Sequence, residues 1–371
     1  MGTKLSFILS LSLIFFHTIL KGQSAILAVN SQSKTILHLS ATDGSVINAN
    51  FINLSTLTTN PIIGITQVQD KIWITNQGAF GEIYIYNLDG TYSSTIPSST
   101  GLSNIRGLNV VNNEVWVTVG GGNGLPANTI KRFDFAGNPL GNHPTLLLPF
   151  DVRDSGAGSA FIGSFFNEGI QIMSYNGVIT GNLVGSGVLN GIQQISKIQN
   201  GNLLVAVTSN SVNSGNNAGI YIISPINGAI ITKWNALIAS GVIQSDNGNY
   251  IYTSGSTIRS LDTVTGTSST IISGGNYQYL TRVNGFLGVK ESETFKASIY
   301  PNPTKGKIHI KSEEAFSSAK IYSKTGQILK TFDQLKGKNN TVDISEMVTG
   351  NYILTLQDIK GEVKSFKVIK D

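Results

Sequence analysis

The chain has 371 residues, of which 40% are hydrophobic and only 13% charged, with 41 Gly, 9 Pro and no Cys. That composition argues against a disordered chain, supplies no disulfide, thiolate metal site, cysteine nucleophile or lipid-anchoring cysteine, and suits an all-β protein of short strands and tight turns. The formal charge of +5 is no nucleic-acid footprint, because residues 1–290 carry 13 Lys/Arg against 11 Asp/Glu and residues 291–371 carry 13 against 10.

Residues 1–22, MGTKLSFILSLSLIFFHTILKG, place Lys4 before an apolar run from Leu5 to Leu20. The run is short for a bilayer span, and a charged start with a small residue after the run predicts a signal peptide cleaved near Gly22–Ala25. No other stretch is apolar enough to span a membrane, so no transmembrane segment is expected in the mature chain.

One unit recurs through residues 23–290. Its plainest part is an apolar strand holding Ala28, Trp73, Trp116, Phe161, Leu204 and Ile251, at spacings of 45, 43, 45, 43 and 47 residues. A second strand follows and ends near a turn, as in EIYIYNLDG and TIKRFDFAG, and a third leaves it. Another short strand precedes each apolar one: IIGITQV, IRGLNVV, FDVRDS, IQQISKI and VIQSD. Four antiparallel strands in about 44 residues predict the blade of a β-propeller, whose two apolar faces are buried only by stacking blades in a ring. With strands lettered a to d outward from the axis, the first unit starts at strand b (SAILAVN), and YQYLTRV at the far end supplies a final strand a. Mixing both chain ends in one blade closes a six-bladed ring. Seven blades stay open if the following GFLGV is a further strand b. The repeat, as in NEVWVTV followed by a turn-ended strand, resembles secreted YVTN-type and NHL-type propeller repeats, which speak for architecture and not for function.

Composition shifts near Lys290: the first 290 residues hold 24 charged residues and the last 81 hold 23. Residues 291–297 read as a linker. Beyond it, alternating apolar residues at Ile308 and Ile310, then Ile321, Ile328 and Leu329, mark half-buried strands. Val342 and Ile344 lead a strand and turn, Gly326 and Gly361 suit tight turns, and Tyr352, Leu354 and Leu356 share a face. About seven strands predict a small Ig-like β-sandwich. Pro301-Asn302-Pro303 followed by Gly306, Asp343 to Gly350 and Tyr352 in DISEMVTGNY, and the basic Phe366–Lys370 ending together resemble the C-terminal sorting domain (type A) of type IX secretion cargo. The resemblance covers residues 298–371. It implies delivery to the periplasm of a Gram-negative bacterium, passage across the outer membrane by the secretion machinery, and removal of the tail. The protein would then be released or attached to surface lipopolysaccharide.

Chemistry-bearing motifs are few. His17, His38, His143 and His309 form no HExxH, and His143 in GNHPT, a turn or blade-edge context, reads as a solvated loop histidine rather than a catalytic base. GGGNG (120–124) lacks the GK[ST] of a phosphate loop. Asp43-Gly44, Asp89-Gly90 and Asp246-Asn247-Gly248 read as hairpin turns rather than calcium loops. Trp73 and Trp116 belong to the core and Trp234 to core or edge packing. No metal or cofactor is expected. In a propeller the d–a and b–c loops share the usual ligand face, and strand a lines the channel. Arg106, Asp151, Arg153, Gln193 and Gln194 are unusual polar residues among the Ile and Val of strand a, with Asp154 beside them, and together they predict a polar pocket at the channel mouth. The favoured reading is a non-catalytic module binding a glycan or a protein. The alternative is a lactonase-like hydrolase or polysaccharide lyase using Asp151 with Asp154, Asp246 or Glu168.

Overall fold

The computed structural model describes residues 23–286 and 297–371, apart from 123, 126, 146, 147, 167, 168, 313, 314, 324–327, 334, 336 and 359–362. The leader, most of the linker, Glu168, Gly326 and Gly361 lie outside the described residues. Contacts divide the chain into two compact units between Leu287 and Gly288.

The first unit is a six-bladed β-propeller of six four-stranded antiparallel sheets. Blades 2 to 6 are each built from four consecutive strands. Their inner strands a are Ile62–Val68, Ile105–Val111, Pro149–Asp154, Asn190–Lys197 and Ala239–Gln244. Blade 1 joins both ends of the unit: Tyr277–Phe286 is its strand a, and Gln23–Asn30, Thr35–Ser40 and Val46–Asn53 are strands b to d. Ala25 faces Val283 and Ala28 faces Leu280 across this closure. Gly285 and Phe286, which open the GFLGV segment, extend that strand a, so they start no seventh blade.

Strands a and b are buried on both faces and read as apolar runs rather than alternations. Lys71–Asn76 and Glu114–Val119 are buried after their first residue. Trp73 and Trp116 are fully buried on them. Strands d face water at the rim, where Ile179–Val184 exposes its first four residues. Trp234, on strand d Ile230–Asn235, packs edge-on against Tyr250 of the next blade at 5.7 Å. The c–d turns consume the carboxylates that superficially suggest calcium: Asp43 Oδ1 accepts from Ser45 N, and Asp89 Oδ1 from Thr91 N.

The second unit has two antiparallel sheets. One orders Ala297–Tyr300, Lys307–Ser312 and Asn339–Asp343; the other orders Ile328–Asp333, Phe316–Tyr322, Gly350–Asp358 and Val363–Lys370. Ile308, Ile310, Ile321, Val342, Leu354 and Leu356 share its core. Ile328 and Leu329 correct the sequence reading: they lie on an edge strand and are 51% and 43% exposed.

Candidate functional site

Every strand a carries a β-bulge near its start, where two residues oppose one on strand b. From blade 1 to blade 6 the first bulge residues are Gln278, Ile63, Arg106, Phe150, Gln193 and Ser240. The second are Tyr279, Gly64, Gly107, Asp151, Gln194 and Gly241. A bulge turns adjacent side chains toward the axis, which a regular strand would send to opposite faces. Four of the five residues singled out in the sequence are therefore bulge residues.

Three blades put glycine at the second position because the neighbouring blade comes too close for a side chain. A Cβ on Gly64 would lie 2.2 Å from Arg106 O, and one on Gly107 2.3 Å from Asp151 Oδ1. In these blades a strand-b threonine couples the blades. Thr75 Oγ1 accepts from Gly64 N at 2.8 Å and donates to Arg106 O at 2.6 Å. Thr253 Oγ1 likewise accepts from Gly241 N at 2.7 Å and donates to Gln278 O at 2.8 Å. The Thr118 hydroxyl lies within hydrogen-bond reach of Gly107 O and Phe150 O, at 3.2 and 3.1 Å.

In the other three blades the bulge side chain itself does the coupling. Asp151 Oδ2 accepts from Ile195 N at 2.7 Å. Gln194 Oε1 accepts from Val242 N and Leu280 N at 2.9 and 3.1 Å, while its Nε2 donates to Leu280 O at 2.5 Å. Tyr279 donates its hydroxyl to Phe150 O at 3.1 Å, reaching from blade 1 to the opposite blade 4. All three side chains are buried. They form a polar layer across the axis, with one mouth on either side. Burial pushes the Asp151 carboxyl up to about 7 against the opposing pull of Arg153 and the Ile195 and Val152 amides. Burial and the Asp151 charge push the Tyr279 phenol well above its usual value.

The mouth on the d–a and b–c loop side opens into a cavity of about 470 Å³ that takes in Arg106, Gln193, Phe150, Phe165, Phe166 and Gln278. Phe165 stacks on Phe150 at 4.9 Å, and Phe166 meets Phe165 edge-on at 5.6 Å and is 53% exposed. The Arg106 guanidinium lies 4.4 Å over the Phe150 ring. With the Gln77 amide oxygen turned toward it, Arg106 Nε and Nη2 donate at 3.1 and 3.2 Å. Arg106 Nη1 is buried without a partner. Desolvation lowers the Arg106 pKa. Two residues that enter strand a here, Leu148 and Ile238, hold φ of 43° and 54°, an expensive conformation for such side chains.

The other mouth, on the a–b loop side, is a cavity of about 650 Å³ that includes Arg153, Asn109, Ser196, Lys197, Asp246 and Arg282. The structure thus distributes the sequence-selected set over three levels. Arg106 and Gln193 lie at the first mouth, Asp151 and Gln194 in the layer between, and Arg153 at the second mouth. Asp154 accepts from the Tyr175 hydroxyl at 2.7 Å and Asp246 pairs with Arg282 at 2.7 Å. Among the described residues no three His, Cys, Asp or Glu side chains gather as a metal-binding group. Sequence reasoning passed over the phenylalanine shelf, whose residues look like ordinary core, and Tyr279, which aligning the six strands a at the bulge would have found.

His143 departs from its solvated-loop reading. It sits on strand d Pro139–Pro144, is buried, and meets Trp116 edge-on at 5.2 Å. Its Nε2 lies 3.0 Å from Arg132 Nη1, and Arg132 pairs with Glu114 at 2.8 Å. Burial and the Arg132 charge lower the His143 pKa.

In the second unit the PNP segment brackets a clamp on the last strand. Asn302 Nδ2 donates to Lys367 O at 2.7 Å and its Oδ1 accepts from Ile369 N at 2.8 Å. Thr304 N donates to Ile369 O and Asp371 N to Thr304 O. Gly306 holds φ of 152°, where a Cβ would lie 2.2 Å from Ser345 Oγ. Asp343 Oδ1 accepts from Ser345 N at 2.8 Å, and the Tyr352 hydroxyl donates to Val348 O at 2.6 Å. Gly350 opens the strand that carries Tyr352.

No curated protein matches the chain. Among solved structures, a chain of the nidogen/laminin complex superposes with a TM-score of 0.57 at 13% identity, over 71% of this chain and 99% of its own. A protein of unknown function from Bacteroides caccae does so with a TM-score of 0.51 at 10% identity, over 70% and 99%. At such identities the likeness is one of fold alone. The family described as the secretion system C-terminal sorting domain matches residues 298–371, so this chain is a β-propeller carrying the sorting tail of type IX secretion cargo.

Proposed function

We propose that the propeller is a non-catalytic binding module that meets a glycan or protein ligand at the mouth formed by its d–a and b–c loops. The sorting tail carries it to the cell surface or beyond. After the tail is removed the module is released or held on surface lipopolysaccharide. The observation that carries this reading is the Phe150–Phe165–Phe166 shelf with the Arg106 guanidinium laid over it. Aromatic faces bind the apolar faces of sugars and side chains, and a preformed arginine adds direction. Exposed apolar residues on the same loops, Leu57, Phe80, Val212 and Leu237, widen the surface a large ligand would cover. Three of the carboxylates an enzyme would draw on are engaged: Asp151 by Ile195 N, Asp154 by Tyr175 and Asp246 by Arg282.

The test is a glycan array and a surface-protein pull-down with the secreted protein and its Phe166→Ala and Arg106→Ala variants. Phe166 is half exposed, so its truncation spares the fold. Loss of one aromatic platform is expected to weaken a captured ligand about tenfold. A ligand that binds Phe166→Ala and Arg106→Ala as tightly as the parent overturns the assignment of this mouth.

A further inference from the structure

The mouth on the a–b loop side has a different chemistry. Its cavity of about 650 Å³ is lined by three cationic side chains, Arg153, Lys197 and Arg282, against one carboxylate, Asp246. That carboxylate is already taken by Arg282 at 2.7 Å. Asp154, the other acid close to Arg153 and Lys197, accepts the Tyr175 hydroxyl and the Gly156 amide.

Arg153 is fixed rather than free. Its Nε donates to Ile195 O at 2.9 Å and its Nη1 to Asn109 Oδ1 at 3.3 Å. These bonds hold the guanidinium plane in place, yet Nη2 has no partner among the described residues. Desolvation by burial disfavours its charge and lowers its pKa. A half-buried, oriented cation on the cavity wall with an unused donor is one that an incoming anion can meet without breaking a protein contact. The Thr281 hydroxyl lines the same cavity, while those of Thr66 and Ser196 already donate to Asn109 Oδ1 and Leu204 O. Asp151, whose carboxyl burial pushes up, and Asp154 act on the Arg153 charge from the same strand.

We propose that this second mouth binds a small oxyanion, phosphate or the carboxylate of an acidic sugar, with Arg153 as the oriented donor and Lys197 as the outer charge. The site shares no side chain with the phenylalanine shelf and stands on separate observations. Guanidinium donors fit the oxygens of either group.

The secreted protein is titrated with inorganic phosphate, with galacturonate and with neutral galactose at constant ionic strength, and read by calorimetry and by thermal unfolding. Saturable binding of phosphate, galacturonate or both is expected, and none of galactose. Binding of one oxyanion alone identifies the source. Arg153→Gln is expected to weaken it at least tenfold, and Lys197→Gln, a surface change that spares the fold, about threefold. Lys233→Gln on the exposed rim strand Ile230–Asn235 is expected to leave it unchanged. The proposal is overturned by the absence of saturable binding of either oxyanion. It is equally overturned if Lys197→Gln and Arg153→Gln bind like the parent, or if Lys233→Gln abolishes binding. None of these results bears on the shelf, whose own test uses Phe166→Ala and Arg106→Ala.

Discussion

Asp151 occupies a bulge position that holds glycine in blades 2, 3 and 6. Its Oδ2 takes the amide of Ile195 in the next blade, the coupling that a threonine provides where glycine stands. The cost of burying that carboxyl is a pKa near 7 against about 3.9 in the unfolded chain. The folded protein therefore binds more protons than the unfolded one between these values. This group's contribution to stability is full below pH 4 and is lost as pH rises through 7, by up to about 1.4 kcal/mol per unit. Asp151→Asn keeps an acceptor for Ile195 N and removes the titration. Urea unfolding should show the variant more stable than the parent at pH 8, with the gap closing toward pH 4. A gap that stays constant across this range means that the buried carboxyl is not what titrates. The residue itself was legible, since an acid among Phe150, Val152 and their neighbours stands out. Its place in a layer with Gln194 and Tyr279 was not, because that depends on bulge register across three blades and no local pattern encodes it.

The recurring element is a bulge on strand a, and in blades 2, 3 and 6 a threonine on strand b holds it and joins that blade to the next. Thr118 stands within reach of Gly107 O in its own blade and Phe150 O in the following one, and is fully buried. Thr118→Val preserves shape and removes the hydroxyl, leaving a buried carbonyl short of a donor. The expected loss is about 1–3 kcal/mol, read as a lower urea midpoint with an unchanged slope. A neutral Thr118→Val would show that the hydroxyl carries no coupling. At this scale the sequence spoke clearly for strands a and b, whose apolar runs are buried on both faces, and poorly for strand d. Pro139–Pro144 reads PLGNHP, a string of turn formers, yet it pairs with Thr129–Phe133 at the rim. An edge strand tolerates Pro and Gly because its outer groups face water. Its single buried residue is His143, so the blade-edge reading of that segment holds while the solvated reading of the histidine fails.

At the scale of the molecule, the position of ring closure decides what removal of the tail does. Blade 1 is completed by Tyr277–Phe286 pairing with Gln23–Asn30, so all six sheets are closed before residue 298, where the match to the sorting family begins. The second unit builds its own core from Ile308, Ile321, Leu354 and their neighbours. Its spaced motif is structural as well as diagnostic: Asn302 and Thr304 bind the last strand, and the start of this unit is thereby tied to its basic end. Deleting residues 298–371 removes no strand of any blade, so the truncated chain should fold with the parent propeller's thermal transition and accumulate in the periplasm instead of reaching the surface or the medium. Fractionation of cells expressing both forms, with protease resistance as the check on folding, separates export from stability. A folded truncated chain found outside the outer membrane in the parent's amount would show that export does not depend on the tail. A truncated chain degraded in the periplasm would instead show that the propeller draws stability from the second unit, against the closure described above.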